Sequence, residues 1–396
     1  MIKKLTRKYT FWREDVLSVK NDVKDKRERN SNIELLRIIA MLMIVIFHIV
    51  CHCVNIQLHG GDENINISSD LFNNPMFYKR LFFVTGIMKW GPIGNAIFML
   101  ISGYFMVEKG KDINIISITK KLLTQQGFAA VSLVLVSNMV VKCYTDVFIS
   151  AQTFNFNGMS WFAGYYFVVI VCATLFLNDY LLRIGQKTYR VLLIIMFAWI
   201  QFSWSISILE SIGGGLGTVI LGLFLYSLGG YIKRYEPFKN VRVFVFGIII
   251  ICVNVIEYIS SYNITQTAIE SFDFNNPDAM FTQNILNFGN REIVIIAIAI
   301  SLFEIFKRII IPKSKIINFF GKGTFMVYLI HDNTFFYSLW GLKNWVLVLH
   351  DTPWLFLVDL VKWGGTTFIA GILMYVMYLL IGHFFAATKW IYIKSN

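Results

Sequence analysis

Ten stretches of apolar residues follow one another along the chain, each close to the roughly 20 residues needed to cross a hydrocarbon core of about 30 Å. They cover approximately residues 33–54, 90–107, 122–141, 161–181, 191–208, 212–232, 243–259, 292–306, 322–341 and 360–386. No single soluble core can hide that much apolar surface: 56% of the 396 residues are hydrophobic and 15% are charged, so lipid must be part of the solvent. The aromatic content of 16%, with 36 Phe, suits a lipid-facing surface and interfacial belts. The expected fold class is therefore all-α and polytopic, with about ten transmembrane helices. A polar cytoplasmic tail over 1–32 precedes a membrane domain over 33–386, and a short cytoplasmic tail over 387–396 follows it.

Orientation follows from the loops, because cytoplasmic loops carry excess Lys and Arg. With the N-terminus inside, 29 of the 36 basic residues fall in cytoplasmic segments, among them Lys120, Lys121, Lys233, Arg234, Lys307 and Arg308. The remaining 7, including Lys79, Arg80, Lys89, Arg291 and Lys343, fall on or near the outer side. Alternate loops obey the rule throughout, which implies an even number of spans with both termini in the cytoplasm. Residues 76–90 read as either a tilted entry to the second span or an interfacial helix. The net charge of +12 is thus a loop charge, and no nucleic-acid module accompanies it. No secretory leader precedes the first span, which must direct its own insertion into the cell membrane. The ten residues after the last span leave the membrane domain to perform its whole function or to hand over to a separate protein.

The first span reads NIELLRIIAMLMIVIFHIV and carries Arg37 at its cytoplasmic mouth and His48 eleven residues deeper. Eleven residues are close to three whole turns, so both side chains lie on one face, roughly 16 Å apart along the axis. An ionisable residue within a membrane helix faces the bundle interior or a wet cavity and is a functional candidate by default. Histidine is also the side chain best suited to take a proton near neutral pH. The plainer reading makes His48 a hydrogen-bonding partner of a neighbouring helix and Arg37 an ordinary cytoplasmic anchor.

Arg37 and His48 form an R-x10-H pattern preceded by Glu34. Ser102-Gly103-Tyr104 follows in the second span, Ser160-Trp161-Phe162 opens the fourth, and Tyr328 and His331 lie in the YLIH of the ninth. In this order the elements resemble those of the acyltransferase 3 family, integral membrane enzymes that acylate surface polysaccharides and related envelope acceptors. The resemblance implies a cytoplasmic acyl-CoA donor, usually acetyl-CoA, with His48 catalytic and Arg37 assisting donor binding or catalysis. It also makes His331 a candidate catalytic residue, with Asp332 beside it to orient or neutralise it, and Trp161 and Tyr328 candidates for binding the acceptor. A guanidinium at the inner rim can grip CoA phosphates bidentately. The family commonly places arginines at the cytoplasmic end of the third span, where this chain has Lys120 and Lys121, which offer phosphate a point charge but no planar fork. His48 would act as general base or, alternatively, as acyl carrier.

Other residues weigh differently. Ser102 reads as a packing position, because small residues let membrane helices approach and no nucleophile elbow surrounds it. Cys51-His52-Cys53 offers soft ligands, yet adjacent helix positions diverge, so no metal is expected. Arg291 and Glu292 at the outer start of the eighth span could hold a sugar acceptor or form a surface ion pair. The expected partners are the bilayer, acyl-CoA, a glycan or lipid-linked saccharide acceptor, and a second copy or an envelope-assembly protein. Two other functions compete with acyl transfer. A transporter or flippase should show broken helices at matching positions in its two halves, whereas a polysaccharide polymerase or lipid-linked glycosyltransferase leaves open a role for outer carboxylates such as Asp273 and Asp278.

Overall fold

The computed structural model describes residues 30–58, 75–143, 161–202, 216–270 and 292–395. Most of the N-terminal tail, Ser160, Asp273, Asp278, Arg291 and the end of the fifth expected span lie outside the described residues, among which there is no strand. In chain order the helices are α1 Ser31–Leu58, α2 Pro75–Ile87, α3 Trp90–Met106, α4 Ile115–Cys143, α5 Trp161–Arg183, α6 Gln186–Phe202 and α7 Leu216–Tyr235. They continue with α8 Val243–Glu270, α9 Glu292–Arg308, α10 Lys315–His331, α11 Thr334–Gly341, α12 Trp345–Asp351 and α13 Pro353–Ser395.

Five helical stretches are long and apolar enough to cross a membrane: Ser31–Leu58, Phe83–Gly110, Ile115–Met139, Trp161–Arg183 and Pro353–Phe384. They correspond to the first four and the last of the ten expected spans. The remaining expected spans are helical as well, but some are short, with 17 residues each in α6, α9 and α10.

Two boundaries differ from the sequence expectation. Within 76–90, which the sequence left open, α2 ends at Ile87 and a two-residue turn leads into α3 at Trp90. The last helix starts at Pro353 and continues through Ser395, past both expected limits. The ninth span, expected to be continuous over 322–341, is broken after His331. Asp332 leaves helical geometry (φ −85°, ψ 69°) and Asn333 is extended, its side chain accepting from Phe335 N–H at 2.9 Å to start α11. An N-cap asparagine satisfies a donor that the interrupted helix would otherwise leave bare.

α1 is the hub, packing against α3, α9, α10 and α13. Its inward stripe is Ile33, Leu36, Ala40, Met41, Ile44, Val45 and Ile49, spaced three or four residues apart. In lipid the hydrophobic effect does not pull helices together, so close van der Waals packing must. Gly103 shows how close that packing is, since a Cβ there would lie 1.8 Å from the carbonyl oxygen of Tyr226 on α7.

The helix ends are tied into two clusters. At one end Ser31 bonds to Asn318 Oδ1 (3.1 Å) and Ser314 N–H (3.0 Å), and Asn32 bonds to the backbone at Ile309 and Ile311. Arg308 donates to Phe238 O (2.6 Å) and Val241 O, and Arg234 donates to Leu181 O (2.9 Å) and Leu182 O (3.1 Å). These are the segments whose loops carry the excess basic residues, gathered on one face of the bundle. At the other end Gln57 donates to Lys343 O (2.9 Å) and accepts from Trp345 N–H (2.8 Å), Arg80 donates to Leu349 O (3.2 Å) and His350 O, and Lys343 pairs with Asp359.

Replacing Gly103 with Ala is expected to destabilise the protein by about 1–3 kcal/mol through overpacking of α3 on α7. Gly127→Ala on α4, where a Cβ meets nothing within 4 Å, is expected to be neutral or stabilising by up to about 1 kcal/mol. Thermal unfolding of the two purified variants compares them directly.

Candidate active site

α1 delivers His48 to the interior and then changes pitch. Val50–Val54 is a π-helical turn in which Asn55 N–H reaches back five residues to Val50 O. His52, inside that turn, stays on the face of His48: the two rings are parallel within 5° and 5.6 Å apart. From the opposite side α10 ends at His331, whose ring meets His48 edge-on with centroids 4.8 Å apart.

Carbonyl oxygens can only accept, and this settles the tautomers. His48 Nδ1 lies 2.9 Å from Ile44 O, so it carries the proton. His331 Nδ1 lies 2.8 Å from Tyr328 O and 3.2 Å from Val327 O, so it carries one too. In the neutral ring His331 Nε2 is then an acceptor, and it receives the shared Nδ1–H of His48 at 3.0 Å. Every ring nitrogen but one is accounted for in this pair. The exception is His48 Nε2, which keeps a lone pair for chemistry.

The helix break supplies the charge opposite that lone pair. Asp332 Oδ1 stands 3.7 Å from His48 Nε2 and 3.9 Å from His52 Nε2. Tyr337, five residues on, closes the loop: its hydroxyl donates to the same oxygen, and its ring stacks on His52 at 3.9 Å. Asp332 was expected to orient or neutralise His331, and no hydrogen bond between the two is among those of the described residues. The backbone of α10 orients His331, and Asp332 faces the two histidines of α1. A ring nitrogen of each of His48 and His52 and a carboxylate oxygen of Asp332 lie within 4.8 Å of one another, so the residues that could hold a metal are these three rather than Cys51, His52 and Cys53. Cys51 and Cys53 are free, and Cys53 Sγ lies against Tyr337 O.

Tyr328 ties a second motif to the first. Its hydroxyl accepts from Phe162 N–H at 3.0 Å, and its ring packs against Phe162 (5.5 Å) and His331 (5.6 Å). The start of α5 is thereby held beside the histidines, with Trp161 outside it, 49% exposed and 5.9 Å from both Phe162 and Tyr165. Ser102 is a packing residue, donating to Phe98 O at 2.8 Å. Glu292 is the first residue of α9, and the structure places it in none of these contacts to the histidine cluster.

Arg37 lies on the stripe of His48 at the basic end of the bundle. It bonds to the buried Glu34 at 3.0 Å and keeps 25% of its side chain exposed. Glu34 is clamped by α10, since a Cβ at Gly321 would fall 2.2 Å from its carboxylate oxygen. At the same end Tyr104, from the Ser-Gly-Tyr element, packs against Phe303 (5.2 Å) beneath the Lys233 ammonium (5.1 Å). Lys120 and Lys121 sit near the start of α4, which packs on α10 and α13 and bonds to Tyr378 through Thr124 (3.3 Å).

Tyr337 was not singled out from sequence, His52 was weighed only with its cysteine neighbours, and Asp332 only as a neighbour of His331. The four-residue step from His48 is the signal for His52, and the Asp-Asn pair is the signal for the break that brings in Asp332 and Tyr337. Tyr328→Phe keeps the ring but strips the Phe162 N–H of its acceptor, a loss of about 1–3 kcal/mol for a buried donor. The expected result is a lower unfolding temperature and faster hydrogen exchange at the start of α5, while the distant α7–α8 link is unchanged.

The geometry stands beside one sequence finding. A family model for an acyltransferase domain, that of the acyltransferase 3 family, matches residues 30–381, nearly the whole chain. The matched region contains every residue of the histidine cluster together with Arg37 and the Ser-Gly-Tyr element. No curated protein and no solved structure matches the chain. The match covers nearly the whole chain, whose described residues include five helical stretches long and apolar enough to cross a membrane, and the chain belongs to that family: this protein is an acyltransferase of the acyltransferase 3 family.

Proposed function

We propose that the protein is an O-acyltransferase of the plasma membrane that moves an acyl group, most simply acetyl, from cytoplasmic acyl-CoA to a hydroxyl of a cell-envelope glycan or its lipid-linked precursor. The observation that carries this reading is the free lone pair of His48 Nε2 opposite the Asp332 carboxylate. In this reading both termini are cytoplasmic, as the positive-inside rule favours, and the basic end of the bundle is the donor side.

Acyl-CoA binds with its phosphates against Arg37, and the pantetheine arm runs along the stripe of α1 toward His48. Three turns of helix, roughly 16 Å, separate the two residues, a span that an extended pantetheine can bridge. Lys120 and Lys121 add cationic potential on the same side. At the far end of the arm the thioester meets His48. His48 Nε2 takes the proton of the acceptor hydroxyl as its oxygen bonds to the carbonyl carbon. The resulting imidazolium is stabilised by Asp332 at 3.7 Å and held in place by His331 as a positioning residue. The tetrahedral intermediate collapses with rupture of the C–S bond, and the proton on His48 passes to the leaving thiolate. Burial raises the value of each charge interaction in this sequence, because little water competes for it.

His48→Ala is expected to lower transfer of labelled acetyl from acetyl-CoA to the glycan by about 10²- to 10⁴-fold, the usual contribution of a general base. The variant protein should remain inserted and abundant. Transfer at the normal rate overturns the assignment. Arg37→Ala is expected to raise the KM for acetyl-CoA by about 10- to 100-fold, corresponding to a charge-assisted hydrogen bond of about 1.5–3 kcal/mol. Steady-state kinetics with varied donor measures it.

A further inference from the structure

Two imidazole nitrogens and a carboxylate oxygen converge on one point without touching. His48 Nε2 and His52 Nε2 are 3.7 and 3.9 Å from Asp332 Oδ1, and a ring nitrogen of each histidine lies within 4.8 Å of one of the other. Direct N–H···O hydrogen bonds run from about 2.7 to 3.2 Å, so neither pair with Asp332 is closed. An oxygen placed just off the plane of the three atoms reaches both nitrogens at about 2.8 Å, an ordinary hydrogen-bond length. We infer that this point is the seat of the acceptor's hydroxyl oxygen and that His52 is an acceptor-binding residue. The inference rests on the acyltransferase reading above and adds where the acceptor binds and from which side it comes.

The donor and acceptor capacities fit a single hydroxyl. Its one proton points to His48 Nε2, the nitrogen left with a lone pair. A lone pair of its oxygen accepts from His52 Nε2–H. Asp332 accepts the Tyr337 hydroxyl and supplies the negative charge for the imidazolium that forms when the proton moves. The acceptor O–H bond breaks toward His48 as the O–C bond to the acyl carbon forms. The C–S bond then breaks, and the thiolate leaves with the proton from His48, so both histidines end neutral. A Zn²⁺ ion with ligands at about 2.0–2.2 Å would draw its tetrahedral donors to about 3.3–3.6 Å apart. The two separations from Asp332 Oδ1, 3.7 and 3.9 Å, are wider than that and suit an oxygen held by hydrogen bonds.

Burial gives the direction of entry. His52 is one turn beyond His48 from the Arg37 end, and its side chain is 30% exposed, against 12% for His48 and 7% for Asp332. The open side of the seat therefore faces away from the donor. The Tyr337 ring stacks on His52 at 3.9 Å and holds that imidazole in place beside the seat. A polyhydroxylated acceptor entering from the outer side satisfies all these features.

The test uses full-length protein in membrane vesicles, labelled acetyl-CoA, and envelope polysaccharide from the same cells freed of its O-acyl groups by mild alkali. His52→Ala is expected to raise the polysaccharide concentration for half-maximal rate at least 10-fold and to leave the KM for acetyl-CoA unchanged. His52→Gln, which keeps an N–H, is expected to recover part of the loss, and it decides the matter should the Ala variant fail to accumulate. Unchanged acceptor dependence in both variants, or a shift in the donor KM alone, overturns the acceptor seat. Elemental analysis showing one equivalent of zinc in the normal protein and none in His52→Ala also overturns it, in favour of a metal site. Failure of the normal protein to acetylate the polysaccharide at all counts instead against the donor and acceptor proposed above.

Discussion

The hydrogen bond from His48 Nδ1 to His331 Nε2 joins the first helix to the tenth deep in the bundle, and much of the surrounding structure serves to keep it. A neutral imidazole has one donor and one acceptor, so what one nitrogen does decides what the other can do. Here backbone carbonyls of α1 and α10 and the facing ring occupy both Nδ1 atoms and His331 Nε2. Reactivity is left at a single atom. The same bond positions the rest, because α10 cannot meet α1 this closely unless Gly321 yields to Glu34, and it cannot end at His331 unless Asn333 caps the next helix.

The helix break after His331 turns a packing arrangement into a site. Within a membrane, backbone that leaves helical geometry is tolerated where protein or a wet cavity satisfies it. Asp332 meets that condition by turning its carboxylate to Tyr337 and toward both histidines of α1, and Asn333 meets it by capping α11. The π-helical turn of α1 lies at the same level and contains His52, which stacks on Tyr337. Two local departures from α-helix thus face each other across one cluster. Irregular backbone at functional sites is a recurring feature of helical proteins.

Much of this was legible in the order of residues. The apolar segments located the helices, and the eleven-residue step from Arg37 to His48 placed both on the stripe that the structure buries or half-buries. Ser102, read as a packing position, turns its hydroxyl back to Phe98 O of its own helix. Asp332 was harder to read, because proximity in sequence pointed it at His331, whereas the break points it across the bundle. A hydrophobic span of ordinary length hides such a break, and neither Gly nor Pro marks it. His52 was weighed with its cysteine neighbours as a metal ligand and set aside, although its four-residue spacing from His48 carried the better signal. The pairing of Tyr328 with Phe162 joins positions 166 residues apart and has no local trace in the sequence.

Acyl transfer by this site needs the lone pair of His48 Nε2 to be reachable by a donor entering from the Arg37 end. The most direct measurement is a cryo-electron microscopy map of the full-length protein in lipid nanodiscs. Its ligand would be an acetyl-CoA analogue with a methylene inserted between sulfur and carbonyl, which binds but cannot transfer its acyl group. The phosphates are expected beside Arg37 and the carbonyl beside the His48 imidazole, bordering the space between His48 Nε2 and Asp332. A carbonyl bound away from the imidazole, or a His48 Nε2 sealed by protein or lipid while the analogue is bound elsewhere, contradicts this mechanism.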